Sequence, residues 1–269
     1  MRGVNAWLRD RDRPLLIGVV HLLATPGAPR FGGDRNAVLD AARADAKALV
    51  DGGADAVIVE NFGDAPFFAE RVPAETIAFL ALALDAVADE VGSLPLGANV
   101  LRNDARAALG LCAATGASFL RVNVHVGAMV TDQGLIEGRA AETLRERARL
   151  APQAALFADV HVKHAAPLVH RPIGEAALET VGRGLADALV VSGTRTGAPP
   201  SEAELAEVRE AVPGVPLVVG SGLDETNARA LARLTDGAIV GTALKTDGDV
   251  SQPVDRERVR RLRALLDAR

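Results

Sequence analysis

Two short apolar runs near the C-terminus each end at glycine, and their composition is typical of a phosphate-binding loop. The runs cover residues 218–223 (VVGSGL) and 238–245 (AIVGTALK). Backbone N–H groups in such turns, close to the positive end of a helix, bind anions. We therefore predict that a phosphate contacts Gly220, Ser221, Gly222, Gly241 and Thr242. The side chain of Lys245 is predicted to contact it beside them.

A third glycine-rich turn follows an apolar run that ends at Ser192. Ser192 and Gly193 open the turn, and Arg195 follows them closely. We predict that Ser192 and Gly193 belong to the same phosphate site. Arg195 either clamps an anion or is exposed to solvent, and the sequence leaves both interpretations open.

Polar side chains recur at alternate positions near the ends of several other apolar runs. Alternate residues of a strand share a face. An unpaired charge inside a protein is costly, so groups on a buried face must pair with one another or with a ligand. This pattern makes the following residues candidate catalytic groups: His21, Glu60, Asn123, His125, Asp159, His161 and Lys163.

Lys163 admits two chemical roles. A desolvated lysine forms Schiff bases, whereas a charged one stabilises an enolate or a phosphate. With Asp159 and His161 it would form a carboxylate–imidazole–amine cluster suited to proton transfer. Glu60, Asp159 and His161 could also hold a divalent cation. No HxxxH or clustered-carboxylate spacing supports that metal site, and the sequence indicates no other cofactor.

Eight short apolar runs alternate with Ala-, Leu-, Glu- and Arg-rich segments of helical period. The runs cover residues 15–21, 56–61, 96–101, 119–125, 154–161, 188–192, 217–220 and 238–241. Alternation of strand and helix predicts parallel pairing through right-handed crossovers. Eight such units favour an α/β fold of the closed (β/α)8 TIM-barrel type. The polar groups then lie at the C-terminal ends of the strands, where residues 22–33 and 127–138 are predicted to form irregular loops.

Glycine-and-aspartate turns precede several of the predicted strands. They cover residues 52–55, 116–118, 184–187 and 235–237. We predict that glycine ends the preceding helices in the left-handed conformation. These turns are expected at the N-terminal end of the barrel, where their role is structural.

Length and composition limit the domain organisation and the classes of partner. The 269 residues predict one barrel domain over residues 1–269, with residues 1–14 as an N-terminal extension or helix and residues 247–269 as a C-terminal helix. The net charge of -5, the aromatic content of 3% and the absence of tyrosine argue against a nucleic-acid partner. The single cysteine, Cys112, excludes an internal disulfide.

The chain carries no apolar stretch of the ~20 residues that a membrane span needs. Its first residues also lack the apolar core of a signal peptide. These two observations together predict a cytoplasmic protein. The basic run at residues 256–263 has two interpretations, a solvated helix over the barrel or a peripheral contact with a membrane surface.

Six segments at the predicted strand ends carry a family resemblance. They cover residues 21–27, 59–67, 97–104, 121–125, 127–134 and 159–165. They look like the BtpA family, which also includes SgcQ-type proteins, and the likeness extends from about residue 15 to residue 246. The resemblance implies a TIM barrel of the ribulose-phosphate-binding type. It also implies the family's name-giving role in photosystem I biogenesis or stabilisation and, through the SgcQ-type members, sugar-phosphate metabolism.

Two classes of function are consistent with these patterns. The first is an enzyme that performs isomerase, lyase or glycosyl-bond chemistry on a small phosphorylated metabolite, such as a sugar or nucleoside phosphate. The second is a non-catalytic biogenesis or stability factor for a membrane complex such as photosystem I. Polar groups inside the barrel favour the enzyme, because a protein that acts only as a scaffold does not need them. By analogy of fold we also expect a homo-oligomer.

Overall fold

The computed structural model describes residues 6–9, 12–162, 164–193 and 198–268, with side chains for all of these except residues 6 and 9. Lys163 and Arg195, two residues of the sequence predictions, lie outside the described residues.

Strands and helices alternate along most of the described chain. The strands are β1 (Leu15–His21), β2 (Ala56–Glu60), β3 (Leu96–Asn99), β4 (Phe119–Val122), β5 (Ala128–Thr131), β6 (Gly134–Glu137), β7 (Ala155–Val160), β8 (Ala165–Pro167), β9 (Ala188–Val191), β10 (Leu217–Val219) and β11 (Gly237–Val240). The helices are α1 (Ala6–Arg9), α2 (Arg35–Asp51), α3 (Ala74–Val91), α4 (Ala105–Thr115), α5 (Ala140–Leu150), α6 (Ile173–Gly182), α7 (Glu202–Ala211), α8 (Ala228–Ala232) and α9 (Arg256–Asp267).

Parallel strands close into a barrel in the order β1-β2-β3-β4-β7-β9-β10-β11, with β11 pairing back to β1. The predicted TIM barrel is confirmed, and each of the eight predicted runs contributes one barrel strand. The ends of the strands differ from the predicted runs by no more than a few residues, as is usual for such boundaries. The C-terminal ends of the strands meet at one face, called the mouth below.

The barrel interior changes from apolar to polar along its axis. Leu15, Ile17 and Val19 of β1 pack in one interior cluster with Phe119 and Phe157. Trp7 of the N-terminal helix α1 contacts both phenylalanine rings, with centroids 5.3 and 6.0 Å away, so hydrocarbon fills the N-terminal end. The residue that follows on the same face of β1 is His21, because strand side chains alternate.

Aspartates in the predicted turns hold the N-terminal end of the barrel together. Asp55 accepts hydrogen bonds from the backbone N–H of Leu16 at 2.9 Å and from Arg13 and Arg263. Asp187 and Asp236 repeat this arrangement, each with one strand N–H group and one arginine. The structural role predicted for these turns is confirmed.

The prediction of left-handed glycine is confirmed in only some of these turns. Gly53 and Gly116 have φ values of 94° and 76°. In the turn before β9 the left-handed residue is Leu185, with φ of 50°. A Cβ at Gly184 would instead overlap the carbonyl oxygen of Thr180, so close packing requires glycine there.

A small antiparallel sheet, in the order β6-β5-β8, is built from the loops that follow β4 and β7. The prediction of an irregular loop over residues 127–138 is therefore wrong. A turn at Asp132 and Gln133 joins β5 to β6. The four-residue strands are too short to show a clear alternation in the sequence. One face packs Met129 and Ile136 against Val124, and the other leaves Val130 and Leu135 about half exposed.

Side chains from three loops tie the mouth together beside β1, β2 and β3. The Asp64 carboxylate accepts hydrogen bonds from the backbone N–H and the hydroxyl of Thr25, at 2.8 and 3.0 Å. Asn61 donates to Asp64 and accepts from the N–H of Leu101 at 2.8 Å. These bonds hold the loop at residues 22–33 in a defined position without any helix or strand of its own.

The side chain of Lys245 does not reach the predicted phosphate site. Its ammonium group pairs with Asp45 of α2, and both side chains are buried. Asp45 also accepts from the N–H of Val254 at 2.7 Å. The pair therefore links α2 to the segment that precedes α9, and the sequence prediction for Lys245 was wrong because this partner is distant in the chain.

Within the described ranges, no helix is both long enough and apolar enough to cross a bilayer. The C-terminal helix α9 occupies residues Arg256–Asp267 of the segment predicted to be helical. Arg263 of α9 turns toward Asp55, at 2.7 Å, rather than toward solvent. Arg263 of the basic run at residues 256–263 therefore forms an ion pair inside the protein.

Replacing Lys245 by methionine should lower the free energy of unfolding by about 3–5 kcal/mol, because it leaves the Asp45 carboxylate buried without its cation. Urea denaturation measures this loss. Lys47→Met is the matched control, because Lys47 forms an exposed pair with Asp51 on the same helix and should cost less than about 1 kcal/mol. Equal losses for the two variants would show that the Asp45 pair is not a buried linkage.

Candidate functional site

A buried ion pair lies inside the barrel near the mouth. The Arg121 guanidinium donates to both carboxylate oxygens of Asp159, each at 2.8 Å, and Asn123 donates to the same carboxylate at 3.2 Å. The three side chains are 3–6% exposed. Burial alone lowers the pKa of Arg121, but the Asp159 charge outweighs it and the net pKa is raised. The guanidinium is therefore a permanent cation in the barrel.

This pairing changes the role expected of Asp159. Both of its oxygens are occupied by charge-assisted hydrogen bonds, so the carboxylate is poorly placed to accept a proton or a metal ion. Asp159 instead orients Arg121, whose remaining nitrogen lies 3.5 Å from the carbonyl oxygen of Gly220. The ion pair thus joins β4 and β7 to the glycine turn after β10.

Three polar side chains lie in register across neighbouring strands at the mouth. His21 is the backbone partner of Glu60, and Glu60 is the partner of Asn99. The Asn99 amide donates to the Glu60 carboxylate at 2.6 Å. The His21 Nε2 atom lies 3.9 Å from the other carboxylate oxygen, and the imidazole packs on Phe62 with ring centroids 4.5 Å apart. A carboxylate and an imidazole are thereby fixed side by side.

A cavity of about 240 Å³, called the anion cradle below, lies next to this register row. Its walls include residues 220–224 and 240–243, together with His21, Glu60, Phe62, Arg121 and Arg258. The Ser221 hydroxyl oxygen is buried and has no hydrogen-bond partner among the described residues. A hydroxyl and two guanidinium groups therefore line one small space together with the backbone of the two glycine turns.

Glycine is required at several positions of the anion cradle, and at two of them it makes room for a side chain of the site. A Cβ at Gly241 would overlap the imidazole of His21, and one at Gly220 would overlap the Ser192 hydroxyl and lie 3.0 Å from the Arg121 guanidinium. The missing side chains let the imidazole and the guanidinium approach the backbone of the turns. Two of the glycines predicted from sequence, Gly220 and Gly241, therefore allow His21 and Arg121 to pack against the turns.

The predicted phosphate ligands do not all line the cradle. Gly220, Ser221, Gly222, Gly241 and Thr242 do. Ser192 lies behind Gly220, and Gly193 packs against the backbone of Ala198 and Pro199. Neither Ser192 nor Gly193 is a wall residue of the cradle.

A second cavity of about 300 Å³, called the polar chamber below, adjoins the cradle and shares Glu60, Phe62 and Arg121 with it. Its other polar wall residues are Arg30, Asn99, Arg102, Asn123, Asp132 and His164. The Asn123 carbonyl oxygen is buried and has no hydrogen-bond partner within the described ranges. It is an acceptor that a hydroxyl group of a ligand would satisfy.

Arg102 contributes a second guanidinium to the polar chamber. Burial lowers the pKa of this group, and the charges of Asp159, Asp132 and Glu60 partly oppose that effect. Asp132 lies at the tip of the β5–β6 hairpin, so the small sheet reaches over the mouth. The walls of the two cavities carry four arginines, Arg30, Arg102, Arg121 and Arg258, and three carboxylates, Glu60, Asp132 and Asp224.

Neither His125 nor His161 lines the anion cradle or the polar chamber. The chain bends after Val122, and the His125 imidazole lies 2.7 Å from the carbonyl oxygen of Gly184, in the turn after α6. Burial lowers the pKa of His125. A φ of 55° interrupts the strand at His161, and burial lowers the pKa of its imidazole. The rule that alternate strand residues share a face therefore does not apply to these two histidines, because β4 and β7 end before them.

The three metal candidates Glu60, Asp159 and His161 do not form a common site. In the part of the chain that is described, no group of three or more His, Cys, Asp and Glu side chains is arranged to hold a metal ion. The divalent cation proposed from sequence therefore has no ligand set among these residues.

Several wall residues were not among the candidate catalytic or phosphate-binding residues. Arg121 and Asn99 follow the alternating polar pattern at the strand ends, Arg121 on the same face as Asn123, but the pattern assigned them no role. Arg102 lies in the polar segment after β3. Arg258 comes from α9, and its guanidinium donates to the carbonyl oxygen of Ala243 at 2.9 Å. No local signal distinguishes Arg258 from the other arginines of that helix.

Comparisons with known proteins agree with this fold. Wild-type GGGPS of Thermoplasma volcanium superposes with a TM-score of 0.63 and 15% identity, covering 100% of this chain and 99% of the other. The photosystem I biogenesis protein BtpA of Synechocystis is 46% identical over 91% of this chain and 85% of its own length. An uncharacterized protein of Thermococcus kodakarensis is 50% identical over 94% and 95% of the two chains. The BtpA family model matches residues 12–268, and the chain therefore belongs to the BtpA family.

Proposed function

We propose that this protein is an enzyme that binds a small phosphorylated metabolite, with the phosphate in the anion cradle. The observation that carries the proposal is the convergence of glycine-turn backbone, the unpartnered Ser221 hydroxyl and the cations Arg121 and Arg258 on one cavity. Such donors in a water-poor site stabilise negative charge. The cradle also occupies the place where the last strands of TIM barrels commonly hold phosphate.

The reaction we propose is proton transfer on that metabolite, with Glu60 as the base. Glu60 borders both the cradle and the polar chamber, and the Asn99 amide holds one of its oxygens at 2.6 Å. The other oxygen faces His21, which could return the proton as an acid. Removal of a proton next to a carbonyl leaves an enolate, and the buried Arg121 cation is placed to stabilise that charge. An isomerase or a lyase would use this arrangement.

A second candidate function is that of an assembly or stability factor. The Synechocystis relative carries the name of a photosystem I biogenesis protein. The face of the small sheet that leaves Val130, Leu135 and Leu168 about half exposed would suit a protein partner. The two functions are compatible, but a factor that works only as a scaffold would not bind phosphate in the cradle.

Titration calorimetry with inorganic phosphate tests the cradle. We expect binding to the wild-type protein and about a tenfold weaker affinity for Arg258→Met, because one charge-assisted hydrogen bond is lost. Arg260→Met is the control, because Arg260 lies on the same helix and pairs with Glu257 in solvent. No heat of binding for the wild-type protein, or the same loss in both variants, would contradict the proposal.

Deuterium incorporation tests the proton transfer even while the product is unidentified. A panel of sugar phosphates is incubated with the protein in D2O, and NMR records exchange of carbon-bound hydrogen. Glu60→Gln should slow the exchange about 10²–10⁴-fold, because the base is removed while the amide still fills its place. Phosphate affinity should not fall, because the variant removes a negative charge from the wall of the cradle.

Glu210→Gln, on the exposed face of α7, is the control for the exchange experiment and should leave the rate unchanged. Equal exchange rates for the wild-type protein and Glu60→Gln would remove Glu60 from the mechanism. That result would leave the phosphate site to be judged by calorimetry alone.

A further inference from the structure

A third cavity, of about 410 Å³, shares wall residues with the polar chamber and none with the anion cradle. It is called the apolar chamber below. Phe67 and Leu101 line both chambers, so the two share a wall. The remaining apolar wall residues are Ala28, Pro29, Pro66, Phe68, Val72 and Pro73. Three cavities of different chemistry therefore adjoin one another across the mouth.

The buried polar residues Asn61 and Asp64 in the apolar chamber's wall are already engaged. The Asn61 oxygen accepts from the N–H of Leu101 at 2.8 Å, and its amide donates to Asp64. The Asp64 oxygens accept from Thr25 at 2.8 and 3.0 Å. Thr76 and the exposed Glu75 are the other polar wall residues. A guest that contacts the rest of the wall would meet hydrocarbon and aromatic rings.

Backbone contacts preform the apolar chamber. The carbonyl oxygen of Phe68 accepts from the N–H of Arg102 at 3.1 Å, and the N–H of Val72 donates to Asp104 at 2.9 Å. These two hydrogen bonds fix the segment of residues 68–72 on both sides of the chamber. The Phe68 side chain is nevertheless 56% exposed, and covering an exposed aromatic ring with an apolar group is favourable.

We propose that the metabolite is a sugar phosphate that carries an apolar ring, with phosphate, sugar and ring in the anion cradle, the polar chamber and the apolar chamber. This inference rests on the proposed phosphate site. The order follows from the shared walls, since Glu60, Phe62 and Arg121 border the first two cavities and Phe67 and Leu101 the last two. In the polar chamber, the Asn123 oxygen would accept from a sugar hydroxyl.

The test uses two probes that differ only in the substituent on the sugar, methyl β-D-riboside 5-phosphate and phenyl β-D-riboside 5-phosphate. Calorimetry should show at least about tenfold tighter binding of the phenyl compound, which corresponds to about 1.4 kcal/mol. In Phe68→Ala this preference should fall to less than about threefold, while the methyl compound keeps its affinity. Inorganic phosphate serves as the reference ligand.

Leu82→Ala is the matched control, because Leu82 is also about half exposed and lies on α3 outside the wall of the apolar chamber. It should retain the full preference for the phenyl compound. Thermal melts check that both variants fold, as expected for substitutions of exposed side chains.

Each unfavourable outcome identifies which proposal fails. Equal affinity for the two ribosides in the wild-type protein would overturn the ring inference and leave the phosphate site intact. Binding of inorganic phosphate without either riboside would overturn the sugar assignment. Absence of binding for all three ligands would overturn the proposed function and the inference together. An equal loss of preference in Phe68→Ala and Leu82→Ala would exclude the apolar chamber as the ring site.

Discussion

The Arg121–Asp159 ion pair lies where the barrel interior changes from hydrocarbon to polar groups, and the mouth is organised around it. The inward residues below the pair include Phe119 and Phe157. Removing either partner would leave an isolated charge in the barrel, which is far more costly than an exposed one. The pair therefore has to be satisfied internally, and it is satisfied by a bidentate contact that also fixes the position of the guanidinium beside the turn at Gly220.

This constraint separates the two acidic residues at the mouth into different roles. Asp159 is occupied by a guanidinium and positions a cation. Glu60 is held by an amide and faces an imidazole, so its carboxylate borders the space that a ligand would occupy. Two carboxylates with opposite surroundings are a common basis for acid–base specialisation in enzymes. The assignment of the base in the proposed reaction follows from this difference in partners.

The C-terminal segment contributes to the mouth from outside the strand–helix repeat. The buried pair of Lys245 with Asp45 anchors this segment to α2, and the helix that follows brings Arg258 to the cradle. A short 3-10 helix at Thr242–Leu244 begins at the wall of the cradle. The donor groups of the cradle therefore depend on tertiary packing at the barrel's edge as much as on the glycine turns.

The sequence by itself determined the barrel, because β-branched runs and helical segments alternate eight times and parallel pairing leaves few other topologies. It also determined the glycine turns of the cradle and the inward face of β1 and β2, since alternation holds while a strand continues. His125 and His161 escaped this rule because the chain bends beyond Val122 and Val160.

Only the tertiary structure decided which polar groups are paired. A sequence shows that Asp159, Lys245 and Arg258 are charged, but their surroundings come from residues tens to hundreds of positions away. Pairing depends on distances of a few ångströms, which no local pattern encodes. The division of the mouth into an anion cradle, a polar chamber and an apolar chamber arises for the same reason, because each wall is assembled from several loops.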